Sequence, residues 1–212
     1  MIYLLSDIHG DMNFTGLKEY IKSATDQDLL IILGDTGLMF AERADYKEFT
    51  DFFLKIDKNI AFIDGNHENF DFLYSFPTEI WNGGKVHRLT ERIVHLKRGE
   101  IFNICGKTFF TLGGCKSSEK WKERGLYYKQ EDPSAEEILW AKENLKIHGN
   151  RVDLILTHKY EKVENPQQLT LGEITNYIDD NVEFKHWYAG HWHTTSINRL
   201  HSTVYDKLIK VL

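Results

Sequence analysis

Short, unbroken apolar runs punctuate this chain, each closed by a turn that carries chemically active side chains. The runs are Ile2–Leu5, Leu29–Leu33, Ile60–Ile63, Leu154–Leu156 and Trp187–Ala189. Runs this short, without polar alternation, predict strands buried on both faces. Between the first three runs, Leu17, Tyr20 and Ile21, and then Phe49, Phe52, Phe53 and Ile56, fall at helical spacing. That βαβαβ order predicts a parallel sheet with right-handed crossovers. From Lys85 to Leu112 the pattern changes. Val86–Leu89, Ile93–Leu96, Ile101–Ile104 and Thr108–Leu112 are strand-like, with turn residues such as Gly99 and Gly106 between them. They predict a meander that forms a second sheet packed on the first. A polar insert, Cys115 to Pro133, precedes a helix from about Ser134 to Ile147, and Ser134 with Glu137 is a capping box at its start. The chain then predicts a strand near Leu154, a helix from about Leu171, and strands around Trp187, Ile197 and Val204.

No internal repeat, low-complexity tract or flexible linker interrupts this order, and proline occurs only at 77, 133 and 166. A chain of 212 residues of this kind is expected to fold as one domain spanning 1–212. The formal charge of −6 argues against a surface built to bind nucleic acid nonspecifically. A small phosphorylated substrate stays open, because bound cations would set the local field. Two cysteines, Cys105 and Cys115, are too few for a disulfide framework or a thiolate metal site. They predict reduced thiols in a cytoplasmic protein. The start, Met1 to Asp7, lacks a basic flank and is expected to be a first strand, not a signal peptide. No stretch approaches the ~20 apolar residues of a membrane span.

The candidate chemistry follows the apolar runs: Asp7-Ile8-His9, Gly34-Asp35, Gly65-Asn66-His67-Glu68, Thr157-His158 and Gly190-His191-Trp192-His193. In open α/β sheets ligands bind outside the carboxyl ends of the strands. These side chains are therefore expected to leave one sheet edge together. Two Asp, one Asn and five His make the mixed oxygen and nitrogen set of first-row divalent metals, with no thiolate. A two-metal hydrolytic centre is the natural reading, in which two ions activate a water and neutralise phosphoryl charge. Asp35 is the expected bridge, since a carboxylate has two oxygens and Gly34 lets the backbone come close. Asp7 and His9, and likewise His191 and His193, are expected to point to one side from extended segments. Asn66 offers a neutral oxygen, and His67 would face the leaving group and protonate it. A single histidine after a strand is ordinarily a hydrogen-bonded structural residue; the ordered set of five segments is what carries the reading. His87, His95, His148, His186 and His201 have no such setting and are assigned structural or surface roles.

Taken together, D-x-H, G-D, G-N-H-E, T-H and G-H-x-H over residues 7–193 resemble the calcineurin-like metallophosphoesterase superfamily. The string Gly65-Asn66-His67-Glu68 is the most specific part. The resemblance implies an α/β fold, a four-layer αββα sandwich of two mixed β-sheets flanked by helices. It implies two divalent ions, Mn first, with Fe, Zn, Ni or Mg as alternatives. Asp7, His9, Asp35 and His193 would hold one, and Asp35, Asn66, His158 and His191 the other. Its catalytic pair would be His67 as proton donor with Asp7 beside it. The activity implied is hydrolysis of a phosphomonoester or phosphodiester by a metal-activated hydroxide.

One departure bears on the substrate. Many relatives follow Gly-Asp with a further Asp and a phosphate-gripping Arg, but here Gly34-Asp35 leads into Thr36-Gly37-Leu38. A nucleotide or other small phosphoester is therefore favoured over a phosphoprotein. Arg124, in the insert Lys116 to Arg124, becomes the candidate phosphate grip, because its fork suits phosphate as lysine does not. Asn66 is the second candidate substrate contact. The alternative for this loop is a solvated basic segment balanced by Glu119 and Glu123. Trp121, Tyr127 and Tyr128 are expected to pack the insert onto the core. A non-catalytic metal-binding module is the rival from another class, and the intact ligand set argues against it. Two other strings fail: Gly106-Lys107-Thr108 lacks a glycine at Ile101, and His67-Glu68 lacks a histidine at Asp71.

Overall fold

The uninterrupted apolar runs form strands with both faces covered. The computed structural model describes residues 1–167 and 169–212. It begins with β1 (Ile2–Leu5), α1 (Thr15–Ser23), β2 (Leu29–Leu33), α2 (Ala44–Phe53) and β3 (Ile60–Ile63). These three strands are parallel neighbours, as predicted. A short α3 (Phe70–Tyr74) leads into β4 (Thr78–Trp81), β5 (Gly84–Arg88) and β6 (Ile93–Leu96).

Here the predicted meander divides. β6 runs parallel to β3, and β5 and β4 add to it antiparallel, so this half joins the first sheet. Only β7 (Glu100–Ile104) and β8 (Lys107–Leu112) enter the second. The break falls at Gly99, which has a φ of 73° and no room for a Cβ against Ala141. A backbone in that left-handed region turns the chain off one sheet and onto the other.

The rest of the chain supplies α4 (Glu119–Glu123), α5 (Ala135–Ile147), β9 (Leu154–Thr157), α6 (Leu171–Asn181), β10 (His186–Ala189), β11 (His201–Thr203) and β12 (Ile209–Lys210). The first sheet has seven strands in the order β12-β1-β2-β3-β6-β5-β4, and the second has five, β11-β10-β9-β8-β7. Both are mixed: parallel centres with antiparallel strands at an edge. The strand expected around Ile197 reduces to a single bridge between Ser196 and Thr203, and Ile197 is exposed. A lone apolar residue among polar neighbours has no face to bury.

Period-two alternation then sorts the side chains into layers. On β2, Leu29, Ile31 and Leu33 point between the sheets toward Phe102, Phe109 and Leu156. Leu30 and Ile32 point outward, under Leu17 and Tyr20 of α1 and Phe49 and Phe53 of α2. On the far side, Ile138, Ala141 and Leu145 of α5 and Ile174 and Ile178 of α6 cover Phe110, Ile155 and Trp187. The result is the expected four-layer αββα sandwich. Each fully buried large apolar side chain contributes about 1.5–3 kcal/mol. The capping box forms: Ser134 Oγ accepts the Glu137 N–H at 3.2 Å, and the Glu137 carboxylate accepts the Ser134 N–H at 2.7 Å. Among the described residues, no helix is long and apolar enough to cross a membrane.

An arginine–carboxylate pair lies wholly inside. Arg98, at the corner between the sheets, donates from Nε to Asp64 Oδ2 at 2.8 Å and also through Nη2. Its other donations go to the Gln130 carbonyl at 2.7 Å and the Glu137 carboxylate at 3.1 Å. His95 Nε2 approaches Asp64 Oδ1 at 3.1 Å, and the His95 ring stacks on His87. Removing Arg98 would leave a buried, uncompensated carboxylate. Arg98→Leu should therefore cost about 3–5 kcal/mol, read as a lowered urea midpoint, and adding Asp64→Asn should restore much of the loss.

Candidate metal centre

Five parallel strands end at one edge of the molecule, and ligand-type residues follow directly. β1 delivers Asp7 and His9, β2 Asp35, β3 Asn66 and His67, β9 His158, and β10 His191 and His193. The first three strands belong to the seven-stranded sheet and the last two to the five-stranded one. The expectation of a single sheet edge is thus corrected: two sheets packed face to face share the site between their carboxyl ends.

Nor are the paired residues extended. Asp7, His9, Asp35, His191 and His193 have φ of 57°, 51°, 54°, 69° and 48°. In that left-handed region an L-residue costs roughly 1–2 kcal/mol, and such outliers persist where surrounding contacts over-determine them. Those contacts are backbone bonds between neighbouring turns: Asp7 N–H to the Gly34 carbonyl at 3.1 Å, His9 N–H to Asp35 at 2.9 Å, and Gly190 N–H to His158 at 2.9 Å. Two glycines permit the convergence. A Cβ on Gly65 would strike the Asp35 carboxylate, and one on Gly190 would strike Ser6 and Asp7.

The ligating atoms fall into overlapping groups. Asp7, His9 and His193 form one and Asp7, Asp35 and His158 another, each with its atoms within 4.8 Å of one another. His9 Nε2 lies 3.0 Å from His193 Nε2 and 3.6 Å from Asp35 Oδ2. His158 Nε2 lies 3.5 Å from Asp35 Oδ1 and 3.3 Å from Asn66 Oδ1. The other ring nitrogen of His158, Nδ1, meets the Leu33 carbonyl at 2.8 Å. That contact makes Nδ1 the donor and leaves Nε2 facing the centre.

Asp7 tests whether a cation fits. Its carboxylate is buried; Oδ2 accepts the His191 N–H at 2.9 Å. Oδ1 is 3.3 Å from His193 Nε2 and 3.8 Å from His9 Nε2, unaligned for hydrogen bonding, and among the described residues it is the one buried side-chain oxygen or nitrogen with no partner. A buried carboxylate oxygen without a partner, ringed by imidazoles, fits a cation.

The titration directions agree. Burial alone would raise Asp35, but His158, His9 and His67 hold it down at about 2. Burial would lower His158, yet the Asp35 carboxylate carries it well above the ordinary imidazole value. His193 is raised by its contact with Asp7. Burial lowers His9 and His67, and it takes His191 down to about 4.

Two residues given no role from the sequence tie the turns together. Glu68, fully buried, accepts from Thr36 N–H at 2.7 Å and from its hydroxyl at 2.6 Å. Burial, and then Asp35, push the Glu68 carboxyl up to about 8. Thr36, next to Asp35, thereby clamps the Asp35 turn to the Asn66–His67 turn. Ser117 accepts from Asn66 Nδ2 at 3.0 Å and fixes the amide, and Cys115 Sγ donates to Asn66 Oδ1 at 3.0 Å. Burial next to a named motif is the only signal that could have found them.

An open cleft of about 450 Å³ lies over these residues, lined by His9, Asp35, Asn66, His191, His193, Tyr46, His67 and Trp121. The His67 N–H donates to Asp35 Oδ1 at 2.7 Å, and its ring rests against Phe40, Trp121 and His9. The pairing of His67 with Asp7 is not made, because Asp7 Oδ2 accepts from His191 and Oδ1 is free. Trp121 does pack the insert, but onto His67 at the cleft mouth. Arg124 lies outside the lining, its guanidinium carbon 5.4 Å from the centre of the Trp121 ring.

Comparison with known proteins places this geometry. The family model for calcineurin-like phosphoesterases matches residues 1–195. A search of curated proteins returns no match. Among solved structures, a candidate 5′-nucleotidase from Staphylococcus aureus, determined in complex with alpha-ketoglutarate, is 15% identical with a TM-score of 0.48. The match covers 96% of this chain but 48% of that one, so the chain spans about half its length. A protein of unknown function from Aquifex aeolicus is 17% identical, with 87% of each chain covered and a TM-score of 0.40.

Metal retention tests the ligand set directly. Loaded with Mn²⁺ and freed of excess, Asp35→Asn should hold markedly less metal by elemental analysis than the parent chain, because an amide bridges two cations poorly. Retention equal to the parent's would remove Asp35 from the set.

Proposed function

Because the chain belongs to the calcineurin-like phosphoesterase family, we propose that it hydrolyses a small phosphoester, with a nucleotide the leading substrate class, at a centre of two divalent ions. One observation carries this reading. Two buried carboxylates, one with an unpartnered oxygen, converge with imidazoles and an amide oxygen on the floor of an open cleft. Asp7, His9, Asp35 and His193 would hold one ion, and Asp35, Asn66, His158 and His191 the other. When bound, the ions supply Lewis acidity, activating a water for in-line attack and neutralising charge on the phosphoryl oxygens. This mixed oxygen and nitrogen set admits Mn²⁺, with Fe, Zn, Ni and Mg competing by availability.

The chain's own residues do the rest. Asp35 and Asp7 give the floor its negative charge, which makes it a cation site and not a bare phosphate pocket. Asn66, fixed by Ser117, keeps a neutral oxygen at the floor and touches the cleft where a phosphoryl group would lie. His67 stands at the side of the cleft, and burial keeps its ring toward the neutral form. An incoming phosphate anion favours its protonated form, which can then donate to the leaving oxygen. Tyr46 and Trp121 shape a mouth with aromatic faces that suit a base or another flat leaving group. Arg124, stacked on Trp121, stands as the nearest candidate for a phosphate grip from the insert.

Two substitutions separate these roles. His67→Ala should keep metal content near that of the parent yet lower kcat by roughly 10²–10⁴ on substrates with poor leaving groups. The loss should shrink for nitrophenyl esters, which need little protonation; loss of metal instead would make His67 a ligand or a support for one. Arg124→Ala should lower kcat/KM about 10- to 150-fold, the worth of a charge-assisted bidentate contact, with Arg124→Lys recovering part. Unchanged kinetics on monoesters and diesters would leave the phosphate held without it.

A further inference from the structure

A sixth strand delivers a ligand-type side chain to the same edge. β8 runs parallel to β9 in the second sheet and ends at Leu112. Gly113 and Gly114 then carry the chain over Asp64, which leaves no space for a Cβ at Gly113. Cys115 follows, fully buried. Its flank packs with the apolar layer under α5 and α6, but its sulfur faces the candidate metal ligands. Sγ lies 3.0 Å from Asn66 Oδ1 and 3.6 Å from His191 Nδ1, and Cys115, His158 and His191 bring their ligating atoms within 4.8 Å of one another.

These separations suit one ion between the atoms. Sulfur at roughly 2.3 Å and imidazole nitrogen at roughly 2.0 Å from a tetrahedral ion stand roughly 3.5 Å apart, against the 3.6 Å found. Imidazole nitrogen and amide oxygen at similar bond lengths stand roughly 3.4 Å apart, against 3.3 Å for His158 and Asn66. Only the contact between Cys115 and Asn66 is shorter, and there an S–H···O bond occupies the place of two bonds to an ion. A buried cysteine elsewhere is ordinarily a small apolar residue. This one turns its sulfur toward a histidine nitrogen and an amide oxygen already assigned to a metal.

We propose that Cys115 Sγ is a direct ligand of the ion held by Asp35, Asn66, His158 and His191. The proposal rests on the dinuclear reading above and deepens it. Coordination is as thiolate: the S–H proton passes to solvent as the ion enters, the S–metal bond forms, and no oxidation state changes. The two subsites then differ in softness. Asp7, His9, Asp35 and His193 remain an oxygen and nitrogen set suited to Mn²⁺, whereas the sulfur-bearing subsite prefers Zn²⁺, Co²⁺ or Fe²⁺. The centre sorts two different metals by their ligands.

The full chain, stripped with chelator and reloaded with Co²⁺ under anaerobic conditions, tests this by absorption. A thiolate-to-cobalt charge-transfer band in the near ultraviolet should appear in the parent and in Cys105→Ser. It should vanish in Cys115→Ser while the visible bands of bound cobalt persist. Zinc-loaded parent chain should show a sulfur shell at about 2.3 Å by X-ray absorption, a measurement that needs no variant to fold. Bound cobalt without the band, or bound zinc without the sulfur shell, would remove Cys115 from the ligands and leave the dinuclear reading standing. Failure of the chain to bind any divalent ion would overturn both.

Discussion

Two carboxylates, Asp7 and Asp35, are buried side by side at the seam where both sheets end, and the architecture around them answers that charge. Burial alone would drive Asp35 toward its neutral form. Instead Asp35 stays ionised, because three imidazoles and the His67 N–H surround it. Asp7 is held by the His191 N–H on one oxygen and by nothing on the other. The chain accepts left-handed backbone at five candidate ligand positions to aim these groups inward. Such strain is stable only because each turn is bonded to the next, and a cation at the centre would relieve the charge that the protein alone leaves unanswered.

Supports of this kind reach well beyond the cleft. Glu68 and Thr36 lock the turns after β2 and β3 to each other. Behind them, Arg98 holds Asp64 at the end of β3 and reaches the carbonyls of Gln130 and Glu131. The Glu131 carboxylate accepts the Ser117 N–H at 3.1 Å, and Ser117 orients the Asn66 amide. A buried cation between the sheets is thus connected through Glu131 and Ser117 to a candidate ligand. Low dielectric makes such a chain strong when complete and costly when broken.

The insert between β8 and α5 has a double part. Its first residues reach the floor of the site through Cys115 and Ser117, and its short helix α4 sets Trp121 over His67 at the mouth. The contacts to the floor of the site and the aromatic wall at its mouth therefore belong to one segment. Exposed loops on a rigid scaffold are where such specificity usually resides.

The sequence by itself determined which residues could be ligands and roughly where they emerge. Ligands sit immediately after apolar runs, and burial on both faces is written in the run itself. The parallel order of β1 to β3, the helices that cover them and the Ser134 capping box are likewise local, since each depends on residues close in the chain. Tertiary structure decided the partners. Val86 to Leu96 and Ile101 to Leu112 look alike as patterns, yet a turn at Gly99 and the Arg98–Asp64 pair send them to different sheets, a choice set by packing across the interior. The left-handed turns at Asp7, His9 and His191, the clamp between Thr36 and Glu68, and the approach of Cys115 to His191 exist only once strands far apart in the chain lie within a few ångströms. Periodicity records that a residue is buried; what it is buried against is settled by the fold.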